Sequence, residues 1–205
     1  MMEYREAAAQ IDQIWTQIVR TEHFRGYRPT TVAVTGLFGL VAAVLQSWLI
    51  PAPDLDPVKY VRLWSSIAVV SLGLTLLEVA WSYLRSESQL ERRLTCQALQ
   101  QFFPSLMAGG IMTWTISELY PQSVALLPGL WALCFGLGIF ASIPFVTPAV
   151  IWVAWYYLVA GTVALMSGRD SSVLSPWLMG GTFGVGQLLM ASVLYFAETK
   201  RHAEA

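Results

Sequence analysis

The chain has 205 residues, 56% of them hydrophobic and only 12% charged, with a mean hydropathy of +0.55. A soluble domain carries about twice that share of charge, so the composition excludes an ordinary water-soluble globule and points to an all-α, polytopic membrane protein of one domain. The formal net charge of −1 decides little, because the placement of basic residues is informative in such proteins and their sum is not.

The first residues, MMEYREAAAQIDQIW, are polar and lack the apolar stretch of a cleavable signal. Residues 3–24 are predicted to form an amphipathic cytosolic helix. Tyr4, Ala7, Ile11, Ile14, Trp15, Ile18 and Val19 recur at three-to-four-residue spacing and make one apolar face. On the other face Glu3, Glu6, Asp12 and Glu22 outnumber Arg5 and Arg20. A helix lying on anionic lipid favours Lys and Arg there, so the expectation is docking on protein through Trp15, Ile11 and Ile18. A basic collar of His23, Arg25 and Arg28 completes this cytosolic segment, residues 1–28.

Six spans follow, at about 30–50, 60–84, 102–119, 125–143, 149–167 and 174–197, each long enough for a bilayer's apolar core. They pair as three transmembrane hairpins, the first within 29–84 and the second and third within 102–198. Between them, residues 85–101 read as a cytosolic connector helix. Ser88 stands three residues before Glu91, a capping-box spacing, and Leu90, Leu94 and Ala98 share one face. Leu90 and Leu94 are the expected docking partners of the N-terminal helix. Residues 199–205 form a cytosolic tail.

Prolines punctuate the spans. Pro29, Pro104 and Pro148 open the odd-numbered ones; Pro57, Pro128 and Pro176 open the even-numbered ones. Seven residues after Pro128 stands Phe135-Gly136-Leu137-Gly138, and seven after Pro176 stands Phe183-Gly184-Val185-Gly186. This predicts a hairpin repeat, although proline also collects at membrane-helix ends for its own reasons.

Nine basic residues (Arg5, Arg20, Arg25, Arg28, Arg85, Arg92, Arg93, Lys200, Arg201) fall on the side of the termini and connector. Three (Lys59, Arg62, Arg169) fall on the other. The positive-inside rule then puts both termini in the cytoplasm, with a bacterial inner membrane as the expected location. Trp48, Trp64, Trp114, Trp131 and Trp177, toward the outer span ends, are expected to form an interfacial aromatic belt.

Glu78 is the one acid set well inside an apolar span, where a charge is costly and must face protein or water. Ser71, Thr75, Ser82 and Arg85 lie on its face of the second helix. This polar stripe can be a structural seam between helices or the wall of a cytoplasmic vestibule in which Glu78 binds a proton or cation. In the sixth span Gly180 and Gly184 permit close helix approach and Gln187 can bond across it. Gly136 and Gly138 do the same in the fourth span, and Thr35, Gly39, Ala43 and Gln46 offer a similar face in the first.

Nothing supports catalysis. His23 and His202 both lie outside the spans, and Cys96 and Cys134 are 38 residues apart in different environments. There is no P-loop, no nucleophile elbow and no metal-ligand cluster. No cofactor, metal or nucleic-acid partner is expected. The expected function is a non-enzymatic regulatory or scaffold module that binds a ligand or partner in the bilayer, forming a homo-oligomer or engaging another protein through its cytosolic helices. The competing expectation is a small transporter or channel using Glu78.

Overall fold

The computed structural model describes residues 28–86, 88–167 and 174–204, with the backbone alone for residues 90, 91, 201, 202 and 204. The described residues are helical apart from short connections, and no strand occurs among them. Helices α1 (Pro29–Leu49), α2 (Pro57–Arg85) and α3 (Gln89–Leu119) come first. A 3-10 segment, Pro121–Leu126, then runs straight into α4 (Leu127–Ser142), and two 3-10 turns lead to α5 (Ile151–Met166). The last span is composite: α6 (Pro176–Met179), a π-helical segment (Gly180–Val185) and α7 (Gly186–Glu204).

Pro29, Pro57, Pro121, Pro128, Pro148 and Pro176 occupy the first or second position of their helices. At a helix start the N–H that proline lacks has no intrahelical partner to lose. Pro104 is different, since α3 continues through it. The connector and the third span are therefore one helix of 31 residues.

Five helical stretches are long and apolar enough to cross a membrane: 29–49, 57–85, 121–145, 148–166 and 176–200. Helix α3 has the length, but Gln100, Gln101, Ser105, Thr113, Thr115, Ser117 and Glu118 dilute its apolar content. The exposed surface is apolar in a way water would not tolerate. On α2 alone Val69, Val70, Leu72, Leu76, Leu77, Trp81 and Leu84 stand outward, a patch far beyond the scattered exposed hydrophobes of soluble proteins.

Each helix packs on its neighbours in the chain, and α1 packs on the last span. The order around the bundle is thus a ring closed between first and last. Two cores fill it. One gathers Val32, Leu94, Ala98, Ala132, Ile139, Val153, Ala154, Tyr157, Ala191 and Leu194. The other, toward the opposite ends of the helices, gathers Ala42, Ala43, Tyr60, Trp64, Val124, Leu127, Leu174 and Met179. Phe183 packs against both.

Small residues set the closest approaches. A Cβ on Gly129 would stand 2.8 Å from the Gly161 carbonyl, and one on Gly161 would stand 2.9 Å from the Gly129 carbonyl. The α4 and α5 backbones are therefore in mutual contact there. No glycine among the described residues has positive φ, so close approach is what these positions supply.

Candidate functional site

Glu78 meets a residue 50 positions away. Its Oε1 lies 3.7 Å from Nε of Arg28, the residue that caps the start of α1. The Glu78 side chain is 13% exposed and that of Arg28 66%. The distance is that of an ion contact and too long for a hydrogen bond. The second oxygen, Oε2, is shut off from solvent and has no hydrogen-bond partner among the described residues. An unpaired buried polar group costs about 1–3 kcal/mol, while an ion pair with a largely solvated partner returns about 0–1 kcal/mol. On these magnitudes the carboxylate is under-satisfied.

The stripe around it is half-buried. Ser71, Thr75 and Ser82 share the partial burial of Glu78, and Arg85 is exposed. Thr75 turns its hydroxyl back along α2 and donates to the Ser71 carbonyl at 2.9 Å. Arg85 stacks over Trp81, 4.2 Å from the ring centroid. Arg92 lies over Tyr83 and donates from Nε to the Ser86 carbonyl at 3.1 Å, which fixes the turn between α2 and α3.

At the other end of the bundle, Gln46 is fully buried and bonded through both its amide nitrogen and its amide oxygen. Its Nε2 donates to the Leu174 carbonyl at 2.7 Å, and its Oε1 accepts from Trp64 Nε1 at 2.7 Å. One amide thus ties α1 to α2 and to the start of the last span. Nearby, Trp131 Nε1 donates to Thr113 Oγ1 at 2.8 Å, joining α4 to α3. On the loop before α2, a hydrogen bond from Lys59, 2.5 Å away, holds the Asp56 carboxyl below its ordinary range.

These bonds correct the aromatic belt. Trp48, Trp114 and Trp177 are exposed, at 82%, 65% and 62%. Trp64 is buried and Trp131 half-buried. An indole N–H taken out of water needs an acceptor, and Gln46 and Thr113 supply one to each.

The middle of the bundle is aromatic. Phe102, Phe135, Tyr157 and Phe183 come from α3, α4, α5 and the π segment. Phe135 has its ring centroid 5.2 Å from Phe102, 4.9 Å from Tyr157 and 5.9 Å from Phe183. Tyr157 is fully buried, and its hydroxyl has no partner among the described residues. Beside it Tyr156 donates to the Gly181 carbonyl at 2.5 Å. That bond pins the π segment, the irregular turn that carries Phe183.

The small residues singled out in the sequence fall at these contacts. A Cβ on Gly180 would meet Ala43 Cβ at 2.7 Å, and one on Gly184 would meet the Leu40 side chain at 2.8 Å. A Cβ on Gly39 would stand 3.1 Å from the Gly184 backbone. Gln187 sits in the same α1 contact, its Cβ 3.1 Å from where a Cβ on Gly36 would be. Gly136 abuts Tyr157, and Gly138 abuts Phe102 and Ser105. Leu94 is buried within the bundle core. Ile11, Trp15, Ile18 and the Leu90 side chain lie outside the described residues.

Compared with protein-family models, curated proteins and solved structures, the chain matches none. What fold and site define is a class: an all-helical protein whose helices are long and apolar enough to suggest a membrane protein. The Arg28–Glu78 contact and the Gln46 hydrogen bonds sit toward opposite ends of the bundle, and its middle holds interlocked aromatic rings with the Tyr156–Gly181 bond beside them.

Proposed function

We propose that this is a non-enzymatic integral membrane protein of six spans arranged as three hairpins, with both termini cytoplasmic, in a bacterial inner membrane. In this reading its transmembrane bundle is a sealed scaffold, and its cytosolic helices bind a protein partner or a second copy of the chain. The observation that carries it is the aromatic contact among four helices. Phe102, Phe135, Tyr157 and Phe183 occupy the space a conducting path would need. The Gln46–Trp64–Leu174 tie supports it too, because a rocking transporter would have to break that tie between α1, α2 and the last span.

One observation favours the second reading, a small transporter. The Oε2 of Glu78, without a hydrogen-bond partner among the described residues, offers a position for a proton or cation.

Purified protein in sealed vesicles distinguishes them. A scaffold leaves an imposed proton or cation gradient decaying as in protein-free vesicles. A flux present in wild type and lost in Glu78→Gln would replace the scaffold by the transporter. Orientation is tested separately, by single cysteines at Asp54, Gln122 and Ser86 in a background without Cys96 and Cys134. An impermeant thiol reagent added outside intact cells should label the first two, and labelling at Ser86 instead would invert the topology.

A further inference from the structure

We infer that Arg28 and Glu78 together form a headgroup site for a phospholipid bearing a primary ammonium, of the phosphatidylethanolamine class. The inference rests on the reading that α1 and α2 span the bilayer; the cysteine labelling above tests that reading independently.

Two halves of a zwitterion receptor are present. Arg28 stands at the residue before α1, where a span meets the headgroup layer. Its side chain is two-thirds exposed and, among the described residues, makes only an ion contact, through Nε. Its terminal nitrogens are therefore available to a phosphate, for which the guanidinium fork is well shaped. Glu78 is seven residues from the end of α2, about two turns deep. Its Oε1 is in contact with Arg28 and its Oε2 has no partner among the described residues.

The 3.7 Å contact leaves Arg28 able to swing outward onto a phosphate, because no hydrogen bond holds it to Glu78. The place it vacates beside Oε1, next to Oε2, then suits a donor that is small, cationic, able to reach both oxygens and tethered a short distance from that phosphate. A primary ammonium meets all three conditions. A trimethylated ammonium carries the charge but has no N–H to donate. A headgroup with no cation leaves Oε2 as it was. Lipid is the expected source because the headgroup layer presents the phosphate and ammonium together at this depth; soluble phosphoethanolamine has the same chemistry.

Full-length protein is purified in detergent and equilibrated with equal amounts of phosphatidylethanolamine and phosphatidylcholine of matched chains. Retained lipid is then counted by native mass spectrometry. Wild type should retain the ethanolamine lipid in preference by about tenfold, the factor that one charge-assisted hydrogen bond supports. Glu78→Gln should bring that ratio close to one, and Arg28→Gln should lower retention of both lipids.

If Glu78→Gln does not fold, Arg28→Gln and a competition experiment carry the test. Millimolar phosphoethanolamine should fail to displace the lipid. Equal retention of the two lipids by wild type overturns the site, as does a preference unchanged in both variants. Displacement by phosphoethanolamine, or its equal binding in lipid-free detergent, overturns the lipid assignment in favour of a soluble zwitterion.

Discussion

Phe135 and Phe183, the phenylalanines of the two Phe-Gly-x-Gly motifs, touch each other edge to face, with centroids 5.9 Å apart and planes at 72°. The motifs' glycines complete the arrangement around a third ring. Gly136 lies against the Cβ of Tyr157, and Gly186 lies against its Cζ and hydroxyl. One motif thus packs on the backbone end of Tyr157 and the other on its tip. Edge-to-face pairs are worth about 0.5–1.5 kcal/mol beyond the area they bury, so this cluster couples α4, α5 and the last span strongly for its size.

The tip of Tyr157 offers a test in which a smaller residue should do better. A Cβ on Gly186 would stand 2.6 Å from the Tyr157 hydroxyl, so Gly186→Ala should destabilise by about 1–3 kcal/mol, the usual cost of overpacking. Tyr157→Phe removes a hydroxyl that has no partner among the described residues and should be neutral or stabilising. Thermal unfolding in detergent reads both. A Tyr157→Phe protein that melts well below wild type would mean that the hydroxyl has an essential partner.

The Gln46 tie should behave in the opposite way. Gln46→Leu strands the Trp64 N–H and the Leu174 carbonyl in a buried setting, and each unpaired group costs about 1–3 kcal/mol. Trp64→Phe frees only the Gln46 oxygen and should cost less through its hydrogen bond. If the double variant costs as much as the sum of the single ones, the two residues are not coupled.

Much of this architecture is legible in the sequence, because apolar length and proline position report directly on where a span can begin. The prolines at 29, 57, 128, 148 and 176 open helices as their chemistry requires. The glycines at 136, 138, 180 and 184 are contact points. The side chains that bond over long sequence distances were not legible. Arg28 reads as one more member of a basic collar, and nothing local names Glu78 as its partner. Trp64 and Trp131 read as belt residues, because composition cannot tell an indole facing lipid from one facing Gln46 or Thr113. The π segment has no sequence mark either; it is a packing outcome, held by Tyr156 from another helix.

For the Arg28–Glu78 pair the two deletions should be unequal. Glu78→Leu removes the ion contact together with the unpartnered oxygen. Arg28 is already largely solvated, so the net cost should stay below about 1 kcal/mol. Arg28→Ala leaves Oε1 unpaired as well as Oε2 and should cost more than Glu78→Leu, though no more than about 1 kcal/mol, the return of the lost ion contact. Glu78→Gln keeps the shape and should preserve the fold. Equal melting points for Glu78→Leu and Arg28→Ala would show that the contact has no structural weight.

The proposed seal of aromatic rings across the middle of the bundle should keep water from a cysteine placed at Ala154. Ala154 is fully buried in the core that holds Tyr157, its carbonyl 3.2 Å from where a Cβ on Gly136 would be. In a background without Cys96 and Cys134, Ala154→Cys should stay unreacted with a small water-soluble thiol reagent applied to both sides of the membrane. It should react fully once the protein is denatured, and a cysteine at Asp54 should react throughout. Rapid labelling at position 154 in the folded protein would mean that water reaches the centre, and the sealed bundle would be wrong.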